Sequence, residues 1–310
     1  MVRNHLRILA GTVVAILLLA IHFVTPSRSG LWLQTYYDSM HVPLFGIIAV
    51  CILLVTPVRW SRRKRLLTVM GAVIALSVLS EMAQIPTARD ASLSDLFADW
   101  FGAAGFLAAA IVFSAHISVP KGRGRYLVLL GVALVAWPLM PLAKVSAAYL
   151  ERNQLLPTLA NFDSKFGDVF YRMQNAQIRT VRRSTNQSIS AEITLGDGPW
   201  PGIIFHDLWP NWESYSELVI QIENPENEPL PVNIRVHDRR HRDGDQPFSD
   251  RFNHTIDLAP GNQIVRISML DIEDAPARRQ MDLFAIDGIV IFYTQQEAGR
   301  RLFLHEIRLE

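Results

Sequence analysis

The long apolar runs in the first half of the chain constrain its fold more than any other feature. Ile8–Val24 and Val69–Leu79 are the clearest of them. In hydrocarbon a single segment can satisfy its own backbone only as a helix, so runs of this kind predict membrane-spanning helices. A window of about 19 residues predicts five: Leu6–Thr25, His41–Pro57, Leu66–Ile85, Leu96–Val119 and Tyr126–Leu142. The first follows Arg3 and Arg7 as a signal peptide would, but its core is long and no small-x-small cleavage site follows, which predicts an uncleaved anchor. Beyond about Leu150 the runs stop and short alternating stretches broken by Pro, Gly, Asn and Asp take over. The expected architecture is a membrane α-helical bundle over 1–150, followed by an all-β, jelly-roll-like sandwich over 155–310.

Charge divides at the same place. Through Leu150 there are 13 Lys and Arg against 5 Asp and Glu, a surplus of 8 positive charges; the remainder holds 17 against 24, a deficit of 7. A basic membrane half joined to an acidic soluble half argues against nucleic acid as a partner. Cys51, the one cysteine, lies inside an apolar run, so no intrachain disulfide and no CxxC site can form.

Basic residues in short loops set the expected orientation. Arg3 and Arg7 precede the first span; Arg59, Arg62, Arg63, Lys64 and Arg65 join the second to the third; Lys121, Arg123 and Arg125 join the fourth to the fifth. The alternate loops hold only Arg28 and Arg89. This bias puts the N terminus on the cytoplasmic side of a bacterial inner membrane, and an odd number of spans then delivers the C-terminal domain outside. Trp32, Tyr36 and Tyr37 fit an outer aromatic belt, Trp60 and Tyr126 an inner one.

Polar residues of the membrane half gather at the outer rim. Asp38 and His41 stand three apart, Glu81 and Gln84 three apart on one helical face, Arg89 and Asp90 in the next loop, and Asp95, Asp99 and Gly102 on one stripe. Carboxylates in a membrane helix need partners or a wet cavity. One reading is a structural network in which Arg89 and His41 neutralise the carboxylates. Another is a polar pocket in which crowded carboxylates share a proton and one group acts as acid or base, with His41, Glu81 and Arg89 as catalytic candidates. Asp38, His41, Glu81, Asp95 and Asp99 are also potential metal ligands, but their spacing specifies no metal and none is expected. Gly102 and Gly105, with Ala103, Ala104 and Ala108–Ala110, predict close helix packing.

The run Glu81-Met-Ala-Gln84, then Arg89, then Ser94-Asp95-Leu-Phe-Ala-Asp99-Trp-Phe-Gly102-Ala-Ala-Gly105 resembles the signature of VanZ-like membrane proteins, and Asp38 and His41 match the Asp…His element before it. The Asp-to-His spacing is one residue tighter than in the family form, and Asp99 stands where Asn is commoner. The resemblance covers residues 1–120. It implies a cell-envelope protein associated with resistance to glycopeptide antibiotics, teicoplanin in particular, often fused to other domains, and it implies no settled reaction.

In the second half nine strands are expected: Ile178–Arg183, Ile189–Leu195, Ile203–His206, Glu217–Ile222, Val232–Val236, Phe252–Leu258, Ile264–Met269, Ile286–Phe292 and Leu302–Leu309. Turn signals such as Asn224-Pro225, Pro260-Gly261 and Asp287-Gly288 separate them. Trp212-Glu-Ser-Tyr215, Leu218–Pro225, Ile234–Asp238 and Leu302–Leu309 resemble jelly-roll, galactose-binding-like modules, a shape shared with carbohydrate-binding domains. The polar stretch His237–Asp245, continuing to Asp250 and Arg251, is either a solvated loop or a sugar site. In the second case Asp238 and Asp250 accept hydroxyl hydrogen bonds, Arg239 or Arg251 donates, and Trp209 or Trp212 stacks on a pyranose face; otherwise the tryptophans belong to the core. Asn186-Gln-Ser188 and Asn253-His-Thr255 match the glycosylation sequon.

No Ser/His/Asp set, phosphate loop or zinc signature is visible, and no cofactor is expected. The leading expectation is a non-enzymatic multi-pass envelope protein embedded in the lipid bilayer, with an outer domain that binds a glycan or an envelope protein. The alternative is an intramembrane enzyme acting at the outer leaflet on a lipid-linked or peptidoglycan-related precursor.

Overall fold

The computed structural model describes residues 2–23, 30–84, 92–113, 123–182, 189–294 and 298–310. It divides into two compact units, Met1–Lys144 and Val145–Glu310.

The first unit is helical: α1 (Val2–Phe23), α2 (Leu31–Ser39), α3 (His41–Val55), α4 (Arg62–Gln84), α5 (Leu93–Phe113) and α6 (Arg123–Leu155), the last of which continues into the second unit. Among the described residues four stretches are long and apolar enough to cross a membrane: Leu31–Val55, Arg62–Ala83, Leu93–Phe113 and Gly124–Leu155. The described apolar part of α1 is the shorter Ile8–Leu19. The expected second span starts too late, because α2 runs almost directly into α3. Pro43 explains why they are two helices: it has no N–H to give the Ser39 carbonyl, so the ladder breaks at Met40 and resumes with Leu44 N–H bonded to the Met40 carbonyl. At the other end of α3, Arg65 donates to the Thr56 hydroxyl (3.0 Å) and the Leu53 carbonyl (2.9 Å), closing the basic turn before α4.

Phe45, Ile48, Ala49, Leu53, Val69, Val73, Ala103 and Leu107 form the bundle's core. Helix α3 lies against α5 at backbone range, and Gly102 allows it: a Cβ there would overlap the Val42 carbonyl and Cα. Gly105 plays the same part toward α6, where an added Cβ would meet Gly131 and Val135.

The second unit is an antiparallel sandwich. Its strands are β1 (Thr158–Asn161), β2 (Tyr171–Gln174), β3 (Ala176–Arg182), β4 (Ile189–Leu195), β5 (Gly202–His206), β6 (Glu217–Asn224), β7 (Leu230–Asp238), β8 (Phe252–Leu258), β9 (Gly261–Ser268), β10 (Ile286–Tyr293) and β11 (Arg301–Leu309), with α7 (Arg239–Asp243) and α8 (Met269–Glu273) between strands. One sheet has the order β3-β4-β11-β6-β9, with β1 also paired to β11; the other has β2-β5-β10-β7-β8. All nine expected strands are present. The two that were not expected, β1 and β2, are four residues long, too short to show alternation, and lean on β11 and β5. Alternation decides what is buried: Leu230, Val232, Ile234 and Val236 of β7 enter the core beside Ile289 and Ile291 of β10, while Leu218, Ile220 and Ile222 of β6 and Leu302, Leu304 and Ile307 of β11 come from the facing sheet.

This unit begins at Val145 rather than at 155. The last turns of α6 belong to it because Ala148 and Tyr149 pack into the sandwich core. Tyr149 donates to Asp207 (2.8 Å), and Glu151 accepts from the Ser164 hydroxyl and the Lys165 and Phe166 N–H groups.

Candidate functional sites

The first site lies where α3, α4 and α5 meet. His41 is the first residue of α3, Glu81 lies in the last turn of α4, and Asp95 and Asp99 are one turn apart at the start of α5. His41, Glu81 and Asp99 are buried. The Gly102 contact with Val42 brings His41 Nδ1 to 2.9 Å from Asp99 Oδ1. One nitrogen of His41, one oxygen of Glu81 and one of Asp95 lie within 4.8 Å of one another. Glu81 also accepts the Ser92 N–H at 3.0 Å. Asp99 Oδ2 is buried with no hydrogen-bond partner, and the buried Ser77 hydroxyl, which interacts with this carboxylate, stops short of hydrogen-bond geometry. Of the residues expected in the polar pocket, the structure therefore brings His41, Glu81, Asp95 and Asp99 together. Asp38 lies in the last turn of α2, three residues before His41. Arg89 lies outside the described residues, as does the side chain of Gln84.

A second polar centre sits at the end of β7, and a residue absent from the sequence reading organises it. Arg279 donates to Asp238 through Nη1 and Nη2, and to Asp250 through Nε (2.6 Å) and Nη2 (2.9 Å). Asp238 is fully buried and also accepts the N–H groups of His241 and Asp282, both at 2.9 Å, the former as the N-cap of α7. Burial by itself would raise the Asp238 pKa, yet the Arg279 and backbone hydrogen bonds hold it below the ordinary carboxylate value. Arg279 does the same to Asp250, and the two carboxylates in turn raise the guanidinium. His241 is held low by burial and by the nearby His237 and Arg235.

These contacts correct the expected sugar site. Trp212 is fully buried in the sandwich core and donates from Nε1 to the Trp209 carbonyl at 2.7 Å, so it cannot stack on a ligand. Asp238 has no surface to offer a hydroxyl, and Asp250 is committed to Arg279. Trp209 packs against the core with the Arg152 guanidinium 5.9 Å from its ring. Arg239 is exposed on α7, while Arg251 lies over Phe248 and donates to Asn253. Asn253 itself is on β8, and the other sequon, 186–188, is outside the described residues.

The outward positions of β7 form a third group. Asn233, Arg235 and His237 alternate with core residues and so share one face of the sheet. Asn233 Nδ2, Arg235 Nε and His237 Nδ1 are each buried without a protein partner. Burial, then repulsion from Arg251, pushes the Arg235 pKa down to about 10. Opposite His237 in the register is Gly288 of β10, where a Cβ would come within 2.9 Å of the His237 ring. The signal for this face was present in the sequence as polar residues between Val232, Ile234 and Val236.

No protein-family model matches the chain, and no curated protein matches it. Among solved structures, the second half is similar to a family 11 carbohydrate-binding module from Clostridium thermocellum in complex with a β-1,3-1,4-mixed-linked tetrasaccharide: 12% identity, 49% of this chain and 93% of that one, TM-score 0.39. A family 30 carbohydrate-binding module of a cellulosomal cellulase of the same organism gives 11% identity over 46% of this chain and 90% of that one, TM-score 0.33. An exo-β-agarase gives 15% identity over 49% of this chain but only 24% of its own length, TM-score 0.39.

Proposed function

We propose that this chain is a multi-pass envelope membrane protein, VanZ-like in its first half, that displays its sandwich outside the bacterial cytoplasmic membrane to bind a glycan. The apolar surface of the helical unit supports the membrane assignment. Leu67 and Leu79 of α4 and Leu129, Val132 and Trp137 of α6 are each at least 60% exposed, a surface that suits lipid and not water. The basic-loop bias supports the orientation. The observation that carries the binding function is the β7 row: Asn233 and Arg235 stand partly exposed on one face of the sheet, and a ligand seated there must supply acceptors to the amide and guanidinium donors. Sugar hydroxyls and carboxylates do so.

The test is a glycan array probed with the full-length protein in nanodiscs. A hit that is lost in both Asn233→Ala and Arg235→Ala supports the reading; a hit that both variants retain, or no hit, refutes it. Orientation is checked separately by an alkaline phosphatase fusion after Glu310, which must be active.

A second reading, an intramembrane enzyme acting on a lipid-linked precursor, is favoured by the convergence of His41, Glu81, Asp95 and Asp99. It requires that Glu81→Gln abolish an envelope phenotype while leaving protein abundance unchanged.

A further inference from the structure

We infer that His41, Glu81 and Asp95 form the first coordination sphere of a divalent transition-metal ion, with Asp99 as the positioning residue behind the imidazole. The three ligands come from three helices and are 40 and 14 residues apart in sequence (41, 81 and 95), so no spacing motif marks them. Their donor atoms lie within 4.8 Å of one another. Bonds of about 2.0–2.2 Å to nitrogen and oxygen place neighbouring donors roughly 3–4 Å apart, and the side-chain torsions of Glu81 span the remaining gap.

Two further observations point to a cation. First, Asp99 holds His41 by Nδ1 at 2.9 Å, which leaves Nε2 to meet an ion. A carboxylate on the far nitrogen of an imidazole is the recurrent arrangement behind histidine metal ligands, because it fixes the tautomer and raises the basicity of the other nitrogen. Second, Asp99 is fully buried and its other oxygen has no hydrogen-bond partner. A carboxylate so placed is expensive beside two more carboxylates unless positive charge stands close. The Ser92 N–H on Glu81 supplies the kind of outer bond that orients a ligating carboxylate.

The donor set selects the ion. One imidazole and two carboxylates suit Zn2+ or Mn2+ better than Ca2+ or Mg2+, which favour all-oxygen shells.

The experiment uses the full-length protein in nanodiscs, stripped with chelator and titrated with Zn2+ and with Mn2+. The expected result is roughly one tightly held ion per chain, a melting temperature that rises with metal, and pulsed EPR of the Mn2+ form showing coupling to one imidazole nitrogen. Glu81→Gln and Asp95→Asn should each abolish binding. Asp99→Asn should retain the ion with about 10–100-fold weaker affinity. If these variants do not fold, the wild-type EPR decides alone. Absence of stoichiometric binding, absence of nitrogen coupling, or unchanged affinity in folded Glu81→Gln and Asp95→Asn overturns the inference.

Discussion

The molecule buries aspartates in both halves, and it treats them differently. In the sandwich, Asp238 is wholly enclosed and both of its oxygens are taken, by Arg279 and by two backbone N–H groups. In the helical unit, Asp99 is equally enclosed, yet one oxygen holds His41 and the other has no partner. A saturated buried carboxylate stabilises one local structure and has no capacity left for a ligand. An undersatisfied one is costly in the protein as it stands, so its retention points to something the site receives. The contrast separates a saturated carboxylate from an undersatisfied one at equal depth.

Four measurements bear on that contrast. The largest effect is expected from Arg279→Ala, which strands Asp238 in the core and should cost about 3–5 kcal/mol in urea unfolding of the sandwich. If the loss is under about 1 kcal/mol, the Asp238 centre is not the structural one. Gly102→Ala comes next. Its new methyl meets the Val42 backbone, which cannot move aside as a side chain can, so the bundle should lose about 1–3 kcal/mol of thermal stability in detergent. The same variant should weaken metal binding, because it parts His41 from Asp99.

The third measurement is pH. Asp238 and Asp250 have folded pKa values below their unfolded ones, so their contribution is complete above the ordinary carboxylate range and is lost as pH falls through the folded values. His241 is also depressed, and the unfolded chain takes up its proton first, from about 6.5 downward. Sandwich stability should therefore fall on acidification in two stages, beginning below the ordinary histidine value of 6.5 and steepening below the carboxylate value of 3.8. His241→Asn should remove the upper stage and leave the lower one; a profile unchanged by that variant would show that His241 does not set it. The smallest stability effect is expected from Asp99→Asn, under about 1 kcal/mol in metal-free protein, since it removes a charge that nothing fully compensates. A loss as large as that of Arg279→Ala would make Asp99 structural after all and erase the distinction between the halves.

Much of the fold was legible because burial leaves a periodic trace. Val232, Ile234 and Val236 alternate because one face of β7 meets the core, and the same alternation told which residues face outward. Other features leave no such trace. Strands β1 and β2 are held by partners and not by pattern. The expected fifth span stops at Leu142, where Pro138, Pro141 and Lys144 read as the end of an apolar helix, yet α6 runs through both prolines to Leu155. Trp212 reads equally as a stacking surface or a core residue, because an aromatic residue beside polar ones looks alike in sequence whether it faces inward or outward.

An apolar helical half and an alternating β half are written into the residue order, because hydrophobic burial follows each residue's own side chain and the local period of its element. Which polar groups meet depends on how the elements pack. His41 and Asp99 are 58 residues apart and Arg279 and Asp238 are 41 apart, so neither pairing has a local signal. A charge takes its partner from whatever packing brings within about 3 Å. In the first pair that packing depends on the missing Cβ of Gly102, and in the second on the end of β7 and the turn into α7.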